Sequence, residues 1–193
     1  MLAALLLPAL KNAKDASKSV TCKNNLKNLG MAFQNYLMDN NDYVVEAIFS
    51  GRIWSKRIIP EYLGITDLET GYEYSGIPRV STVAICPMNT GRYVSNVRGN
   101  LNYVYNQKLC EPTAHRFSAL KTSPSQKMIF TDGYPAAWIY LINQVAGWSS
   151  LHWQAIYMFH LKKANIVWGD GHVEPKSAED INNNLPTYYT CTW

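Results

Sequence analysis

The chain has 193 residues, of which 47% are hydrophobic and 17% are charged. This length is sufficient for a domain with its own hydrophobic core, and the composition excludes disordered, collagen-like and coiled-coil proteins. The formal net charge is +4, and residues 1–30 account for all of it with five lysines and one aspartate. The charges of the remaining residues sum to zero. The chain therefore lacks the broad positive surface that nucleic-acid binding requires, and no nucleic-acid partner is expected.

The first ten residues, MLAALLLPAL, carry no charge. A helix of this length rises about 15 Å, against roughly 30 Å for the hydrocarbon core of a bilayer, so it cannot span a membrane alone. We interpret it as part of a membrane and assembly helix rather than as a buried core helix, because lysine follows at once. The residues expected to carry this role are Leu2, Leu5, Leu6, Leu7, Pro8 and Leu10.

From residue 11 to about residue 39 the pattern becomes amphipathic. Apolar side chains recur at steps of three and four, which predicts one helical stripe that packs on the rest of the protein. Its members are Cys22, Leu26, Leu29, Phe33, Tyr36 and Leu37. Gly30 within the stripe indicates close backbone packing. The polar run over residues 39–42 ends the helix, because short polar side chains compete for backbone hydrogen bonds. The predicted helical segment is residues 1–42.

Residues 43–193 contain short aromatic and β-branched runs between prolines, glycines and asparagines. These runs predict strands over residues 80–85, 101–105, 127–131, 165–168 and 172–174. A short helix over residues 53–63, broken near Pro60, and a terminal helix opened by Ser177 and Asp180 are also expected. Asp170 and Gly171 predict a two-residue turn with positive φ. Because helices and strands do not alternate, the fold class is α+β, a long N-terminal helix packed on an antiparallel sheet.

Several local features resemble one protein family. Residues 5–43, LLLPALKNAKDASKSVTCKNNLKNLGMAFQNYLMDNNDY, are similar to the N-terminal helix of type IV pilin-like proteins with prepilin-type cleavage and methylation. The segments ICP (residues 85–87) and NYVYN (residues 102–106) resemble landmarks of one subgroup. The most specific feature is His160, followed after nine residues by Asp170, Gly171 and His172. This spacing matches the C-terminal His-x9-Asp-Gly signature of that subgroup.

The resemblance implies a pilin-like fold and a structural role, similar in outline to the major pseudopilins of type II secretion. Its partners would be other pilin-like subunits and the secretion machinery, acting in protein transport or in a surface filament. It implies an inner-membrane anchor and a globular domain outside the cytoplasm, in the periplasm or at the cell surface, although the lysines after the apolar tip alone favour a cytoplasmic body. The family's leader, cleavage glycine and downstream glutamate do not occur, so the chain is expected to begin inside the family's membrane helix.

The four cysteines allow three complete pairings, and none of them has the Cys-x-x-Cys spacing of a zinc site. A disulfide between Cys86 and Cys110 is preferred because both flank the central strands. Cys22 lies on the packing stripe and is interpreted as a buried thiol. Cys191 is expected to be mobile unless it is bridged.

His160, Asp170 and His172, together with Asp132, are candidates for a metal or acid–base cluster. The favoured alternative is structural: the Asp170–Gly171 turn forms a hairpin, and His160 donates a hydrogen bond to it. For a metal, the candidate residues are Asp132, His160 and Asp170.

No cofactor is expected, but calcium is a candidate because major pseudopilins hold calcium in a C-terminal loop. The oxygen ligands in that region are Asp170, Glu174, Glu179 and Asp180. The dense Asp-x-Asp-x-Asp-Gly pattern of a dedicated calcium loop does not occur. There is no Gly-x-Ser-x-Gly elbow and no phosphate-binding glycine loop, so no catalytic residue is assigned and an enzyme is not expected.

An alternative function is a surface binding module, with carbohydrate as a candidate ligand. Aromatic side chains can stack on sugars or anchor protein interfaces, although core packing is the commoner use of scattered aromatic residues. The residues concerned lie in the segment 134–153 and are Tyr134, Trp138, Tyr140, Trp148 and Trp153.

Overall fold

The computed structural model describes residues 2–46, 48–49, 52–65, 83, 85–88, 102–110, 114–135, 141–142, 144–145, 154–156, 160–189 and 191–192. Three α-helices lie among these residues: α1 (Leu2–Asp39), α2 (Trp54–Leu63) and α3 (Ala178–Tyr189). The strands are β1 (Ile48–Phe49), β2 (Arg52–Ile53), β3 (Tyr103–Asn106), β4 (Met128–Pro135), β5 (Leu141–Ile142), β6 (Gln144–Val145), β7 (Gln154–Ile156), β8 (Lys163–Trp168) and β9 (Val173–Ser177).

Four strands form the antiparallel sheet on which the helix lies. β4 pairs with β3 on one side and with β8 on the other, and β9 pairs with β8 at the edge. The predicted α+β fold, with a long N-terminal helix and an antiparallel sheet, is therefore confirmed. Two short pairs differ from the prediction, because β5 runs parallel to β3 and β6 runs parallel to β7.

The predicted packing stripe is the buried face of α1. All six of its residues are buried, with exposed fractions between 0% and 5%. α1 contacts β4, β8 and β9 along this face. Gly30 lies so close to the sheet that an added Cβ would come within 2.8 Å of Val167 Cγ1. The close backbone packing expected at Gly30 is confirmed.

Aromatic rings fill the space between α1 and the sheet. The Phe33 ring meets Phe117 and Phe130 edge-on, at centroid distances of 5.7 and 6.0 Å. Trp54, which begins α2, is fully buried, and its ring centroid lies 4.9 Å from that of Phe130. Such tilted and edge-on pairs add to the stabilisation that burial of the rings provides. The core therefore lies between α1, α2 and the sheet.

Three local predictions are wrong. α2 continues through Pro60; the proline removes one backbone hydrogen bond, and the burial of Trp54 and Ile58 in the core offsets that loss. Of the predicted strand over residues 80–85, the structure describes Val83 and Ile85, and neither of them lies in a strand.

The third difference concerns the turn between β8 and β9. Its loop has three residues rather than two, since the Gly171 N–H donates to the Trp168 carbonyl (2.9 Å) and the Trp168 N–H donates to the His172 carbonyl (3.0 Å). Gly171 has φ of 86°, whereas Asp170 is not among the described residues with positive φ. A three-residue hairpin loop needs just one left-handed residue, and glycine provides it.

The predicted ends of the helices are confirmed. α1 ends at Asp39, and Asn41 and Asp42 follow with φ of 51° and 68°. At the start of α3, the Asp180 N–H donates to Ser177 Oγ (3.1 Å), which is the expected N-terminal cap.

We predict that Phe33→Ala lowers the free energy of unfolding by about 3–5 kcal/mol, because it leaves a cavity among the rings under α1. The matched control is Met38→Ala on the same helix, whose side chain is 73% exposed. The control should change stability by less than about 0.5 kcal/mol. Urea unfolding followed by circular dichroism measures both values, and equal losses in the two variants would contradict this account of the core.

Candidate functional site

A buried polar cluster among the described residues lies beside the paired strands β4 and β8. It contains Asp132 from β4, Asn165 from β8 and His160, which precedes β8. Thr131 pairs with Ile166 in the sheet, so Asp132 and Asn165 are neighbours across the two strands. The exposed fractions are 0% for Asp132 and Asn165 and 6% for His160. We call these three residues, together with Cys22 and Cys86, the His160 corner.

A tight turn fixes the backbone of His160. The His160 N–H donates to the Lys163 carbonyl (3.1 Å), and the Lys163 N–H donates back to the His160 carbonyl (2.9 Å). The two residues between them, Leu161 and Lys162, have φ of 49° and 63°. This is the backbone pattern of a two-residue hairpin turn, which normally uses asparagine and glycine. Leu and Lys give no such signal, so sequence analysis missed the turn that positions the histidine.

Asp132 is held by Asn165 of the neighbouring strand β8 and by the histidine. Its Oδ2 accepts hydrogen bonds from the Asn165 backbone N–H (2.6 Å) and from Asn165 Nδ2 (3.0 Å). His160 Nε2 lies 3.3 Å from the same oxygen. Burial raises the pKa of the Asp132 carboxyl above its usual value, although the contacts with His160 and Asn165 oppose that effect. Asp132 Oδ1 is buried and has no hydrogen-bond partner among the described residues.

A disulfide joins Cys22 to Cys86 and closes the other side of the corner. Two hydrogen bonds hold Cys86 in place: its N–H donates to Asn102 Oδ1 (3.0 Å), and Asn25 Nδ2 donates to the carbonyl of the preceding residue, Ile85 (3.1 Å). The Asn25 bond ties the Cys86 segment to α1, and the Asn102 bond ties it to the start of β3. The Cys86 sulfur lies 3.4 Å from His160 Nε2.

The predicted Cys86–Cys110 disulfide and the buried thiol at Cys22 are therefore wrong. Cys110 ends the short 3-10 helix after β3 and, like Cys191, is a half-buried thiol against the hydrophobic core. Burial raises the pKa of the Cys191 thiol to about 11.

The structure separates the two halves of the His-x9-Asp-Gly motif. His160 is buried against Asp132, whereas Asp170 and His172 have side chains that are each 42% exposed. Asp170 Oδ1 accepts a hydrogen bond from the His172 N–H (3.1 Å) and lies 2.5 Å from His172 Nδ1. Of the metal candidates, Asp132 and His160 come together and Asp170 does not. The expected hydrogen bond from His160 to the turn is also wrong, since its Nε2 contacts Asp132 and Cys86 and its Nδ1 has no described partner.

The carboxylates proposed for calcium do not converge. Lys176 Nζ lies 2.9 Å from Glu174 Oε1 and 3.4 Å from Asp180 Oδ2, so an ammonium group already occupies the position between these two carboxylates. Among the described residues, a group of three or more potential metal ligands occurs at Cys22, Cys86 and His160, whose ligand atoms lie within 4.8 Å of one another.

The N-terminal half of α1 is not covered by the rest of the described chain. No described side chain from residue 7 to residue 21 is buried, and Leu7 and Leu10 are 67% and 68% exposed. Pro8 lies within the helix. The side chains of Leu2, Leu5 and Leu6 lie outside the described part of the chain. None of the described helices combines the length and the apolar character needed to cross a bilayer.

The aromatic segment proposed for ligand binding falls largely outside the described residues. These omit Trp138, Tyr140, Trp148 and Trp153, and for Tyr134 they give the backbone in β4 without the side chain. The carbohydrate-binding alternative therefore stays a prediction.

Comparison of the chain with protein-family models, with curated proteins and with solved structures found no match in any of the three. The resemblance to pilin-like proteins remains a prediction from the sequence. Functional proposals for this chain depend on two features of the fold, the uncovered half of α1 and the His160 corner.

We predict that the disulfide connectivity can be read directly from a tryptic digest of the unreduced protein. Trypsin separates all four cysteines, and Cys22 falls in the peptide SVTCK and Cys86 in VSTVAICPMNTGR. Mass spectrometry should detect these two peptides as a linked pair that disappears on reduction. Because the bond closes a sequence separation of 64 residues, its loss in Cys22→Ala/Cys86→Ala should lower stability by about 2–4 kcal/mol. A link from Cys86 to LCEPTAHR, the peptide of Cys110, would contradict the structure.

We predict that Leu161→Asn/Lys162→Gly raises the free energy of unfolding by about 1 kcal/mol, because it places residues that tolerate left-handed backbone at both positions. Leu161 is 93% exposed, so no packing is lost. Leu161→Ala, which keeps the strain, should change stability by less than about 0.5 kcal/mol. Thermal and urea unfolding measure the difference. A loss of stability in the double variant would show that these residues do not need positive φ.

Proposed function

We propose that the chain is a pilin-like structural subunit of a type II secretion or surface filament system and that it acts by assembly through its N-terminal helix. The observation that carries the proposal is the contrast between the two halves of α1. From Cys22 onward the helix buries its apolar stripe on its own sheet. Before Cys22 the same continuous helix has no buried side chain among those described.

The exposed half of α1 presents apolar side chains that need a partner. Leu7 and Leu10 are about two-thirds exposed, and burying a leucine fully is worth about 1.5–3 kcal/mol. Single exposed apolar residues are ordinary on protein surfaces, but the start of α1, LAALLLPAL, places nine uncharged residues in succession on one helix. Lipid, or the same segment of another copy, would remove this surface from water.

The positive charges that follow the uncharged first ten residues suit a helix that passes from an apolar environment, such as lipid, into water. Three lysines follow Leu10, at positions Lys11, Lys14 and Lys18. Lysine side chains can keep their ammonium groups in water while their stems lie along apolar surface. In the proposed arrangement the tips of several copies pack together at the inner membrane. The sheet domains lie outside the cytoplasm and contact one another and the secretion machinery.

The His160 corner supports a structural rather than a catalytic role. Asp132 and Asn165 are fully buried and His160 is 6% exposed. The one acid–histidine pair that is buried among the described residues therefore has almost no exposed surface on which a substrate could bind. In the proposed role the corner fixes α1 to the sheet and no reaction is assigned to it.

We predict that Leu7→Asp/Leu10→Asp weakens self-association and binding to phospholipid vesicles. Losing the burial of two leucines should weaken association at least about tenfold. The control is Met38→Asp, which places one of these charges at an exposed position (73%) in the other half of α1. Sedimentation equilibrium and vesicle flotation measure the effects, and circular dichroism verifies that each variant is folded.

The wild-type chain and the Met38→Asp variant should associate to the same degree. If the wild-type chain is monomeric and does not bind vesicles, or if the double variant behaves like the wild type, the assembly role is wrong.

A further inference from the structure

We propose that the His160 corner is a zinc site when its two cysteines are reduced, with Cys22, Cys86 and His160 as ligands and Asp132 as the oxygen donor for the fourth position. The disulfide and the metal are then alternative ways of closing the same corner. This site does not depend on the assembly role of the exposed helix.

The distances around His160 Nε2 fit those between neighbouring ligands of tetrahedral zinc. Zinc bonds of about 2.0–2.3 Å place neighbouring tetrahedral ligands roughly 3.3–3.7 Å apart. His160 Nε2 lies 3.4 Å from Cys86 Sγ and 3.3 Å from Asp132 Oδ2. The ligand atoms of Cys22, Cys86 and His160 all lie within 4.8 Å of one another. The two sulfurs are bonded in the disulfide, so reduction must occur before they can move apart to coordinate a metal.

The chemistry of the donors selects for zinc rather than for calcium or magnesium. Two thiolates and an imidazole are soft or intermediate ligands, which zinc prefers, whereas calcium and magnesium prefer sets of oxygen ligands. Cys22, Cys86 and Asp132 are fully buried. A buried carboxylate is costly unless a positive charge lies beside it, and Asp132 Oδ1 is buried with no hydrogen-bond partner among the described residues. A divalent cation would supply that charge.

The surroundings of the corner hold its ligands in position before any metal binds. Asn165 orients the Asp132 carboxylate with two hydrogen bonds, and Asn102 accepts the N–H of Cys86. The tight turn over Leu161 and Lys162 fixes the backbone of His160. Such supporting contacts orient metal ligands and raise affinity. The surface pair of Asp170 and His172 has no comparable setting, since both side chains are 42% exposed.

The change between the two states balances as a thiol–disulfide exchange followed by metal binding. When local opening exposes the buried sulfurs, an external dithiol supplies two electrons and two protons to the Cys22–Cys86 bond, which gives two thiols and an oxidised dithiol. Zinc then displaces the two thiol protons, which pass to solvent. A disulfide oxidant reverses the sequence by taking two electrons from the thiolates and releasing the metal.

The test uses the full chain carrying Cys110→Ser/Cys191→Ser, so that Cys22 and Cys86 are the two cysteines left. The protein is reduced with a dithiol, which is then removed by gel filtration without oxygen, and zinc is added. We expect one zinc per chain, released to a colorimetric chelator, and both remaining thiols protected from alkylation. With cobalt(II) in place of zinc, we expect a thiolate charge-transfer band and the strong visible bands of a tetrahedral site. The oxidised chain should bind neither metal.

His160→Gln is the decisive variant, and His172→Gln is its matched control on the surface hairpin. We expect His160→Gln to weaken zinc binding at least about a hundredfold, because it removes a ligand, and His172→Gln to leave it unchanged. The proposal is overturned if the reduced chain retains no zinc, or if both histidine variants bind zinc equally well. If His160→Gln does not fold, X-ray absorption on the zinc-loaded chain decides: sulfur and nitrogen neighbours support the site, and a shell without sulfur overturns it.

Discussion

The close approach of α1 to the sheet is the constraint on which the rest of the structure depends. Gly30 lets the helix backbone come so near that Val167 of β8 occupies the space where a side chain would be. On either side of this point the stripe residues Leu26 and Phe33 are buried on the sheet. Because β8 also carries Asn165 and follows His160, the same approach brings Cys22 of α1 to the polar corner. The position of the helix therefore sets both the core and the candidate site.

Much of this arrangement could be predicted because periodic patterns report burial directly. Steps of three and four from Cys22 to Leu37 identified the buried face, and the polar run after residue 38 identified the end of the helix. The four sheet strands were recognised from their β-branched and aromatic residues, although β4 continues to Pro135, four residues beyond the predicted end at Thr131. The parallel pairs were missed because β5 and β6 are each two residues long, which is too short for a pattern to appear.

The candidate site was harder to predict because its residues meet across the fold rather than along the chain. Cys22 and Cys86 are 64 positions apart, and Cys22 looked like any other apolar member of the stripe. Spacing in the sequence argued against zinc, yet ligand spacing identifies metal sites only when the ligands come from one local motif. The His-x9-Asp-Gly motif led to the opposite error, because it suggested that His160 and Asp170 act together. They are close in sequence but have different partners in the structure. The turn at Leu161 and Lys162 gave no signal because neither residue favours positive φ.

The Cys22–Cys86 bond lies at the boundary between the two halves of α1, and this position determines where a pull on the helix would enter the folded body. A tensile force applied to the uncovered leucines travels along the helix and first reaches the folded body at Cys22. There a covalent bond transmits it to the segment of Cys86, which Asn102 ties to the start of β3. The aromatic contacts further along the helix are then sheltered from the pull. Without that bond, the same force would act only on non-covalent contacts, which are side-chain packing and a few hydrogen bonds such as that from Asn25 to Ile85, and these can yield one turn at a time.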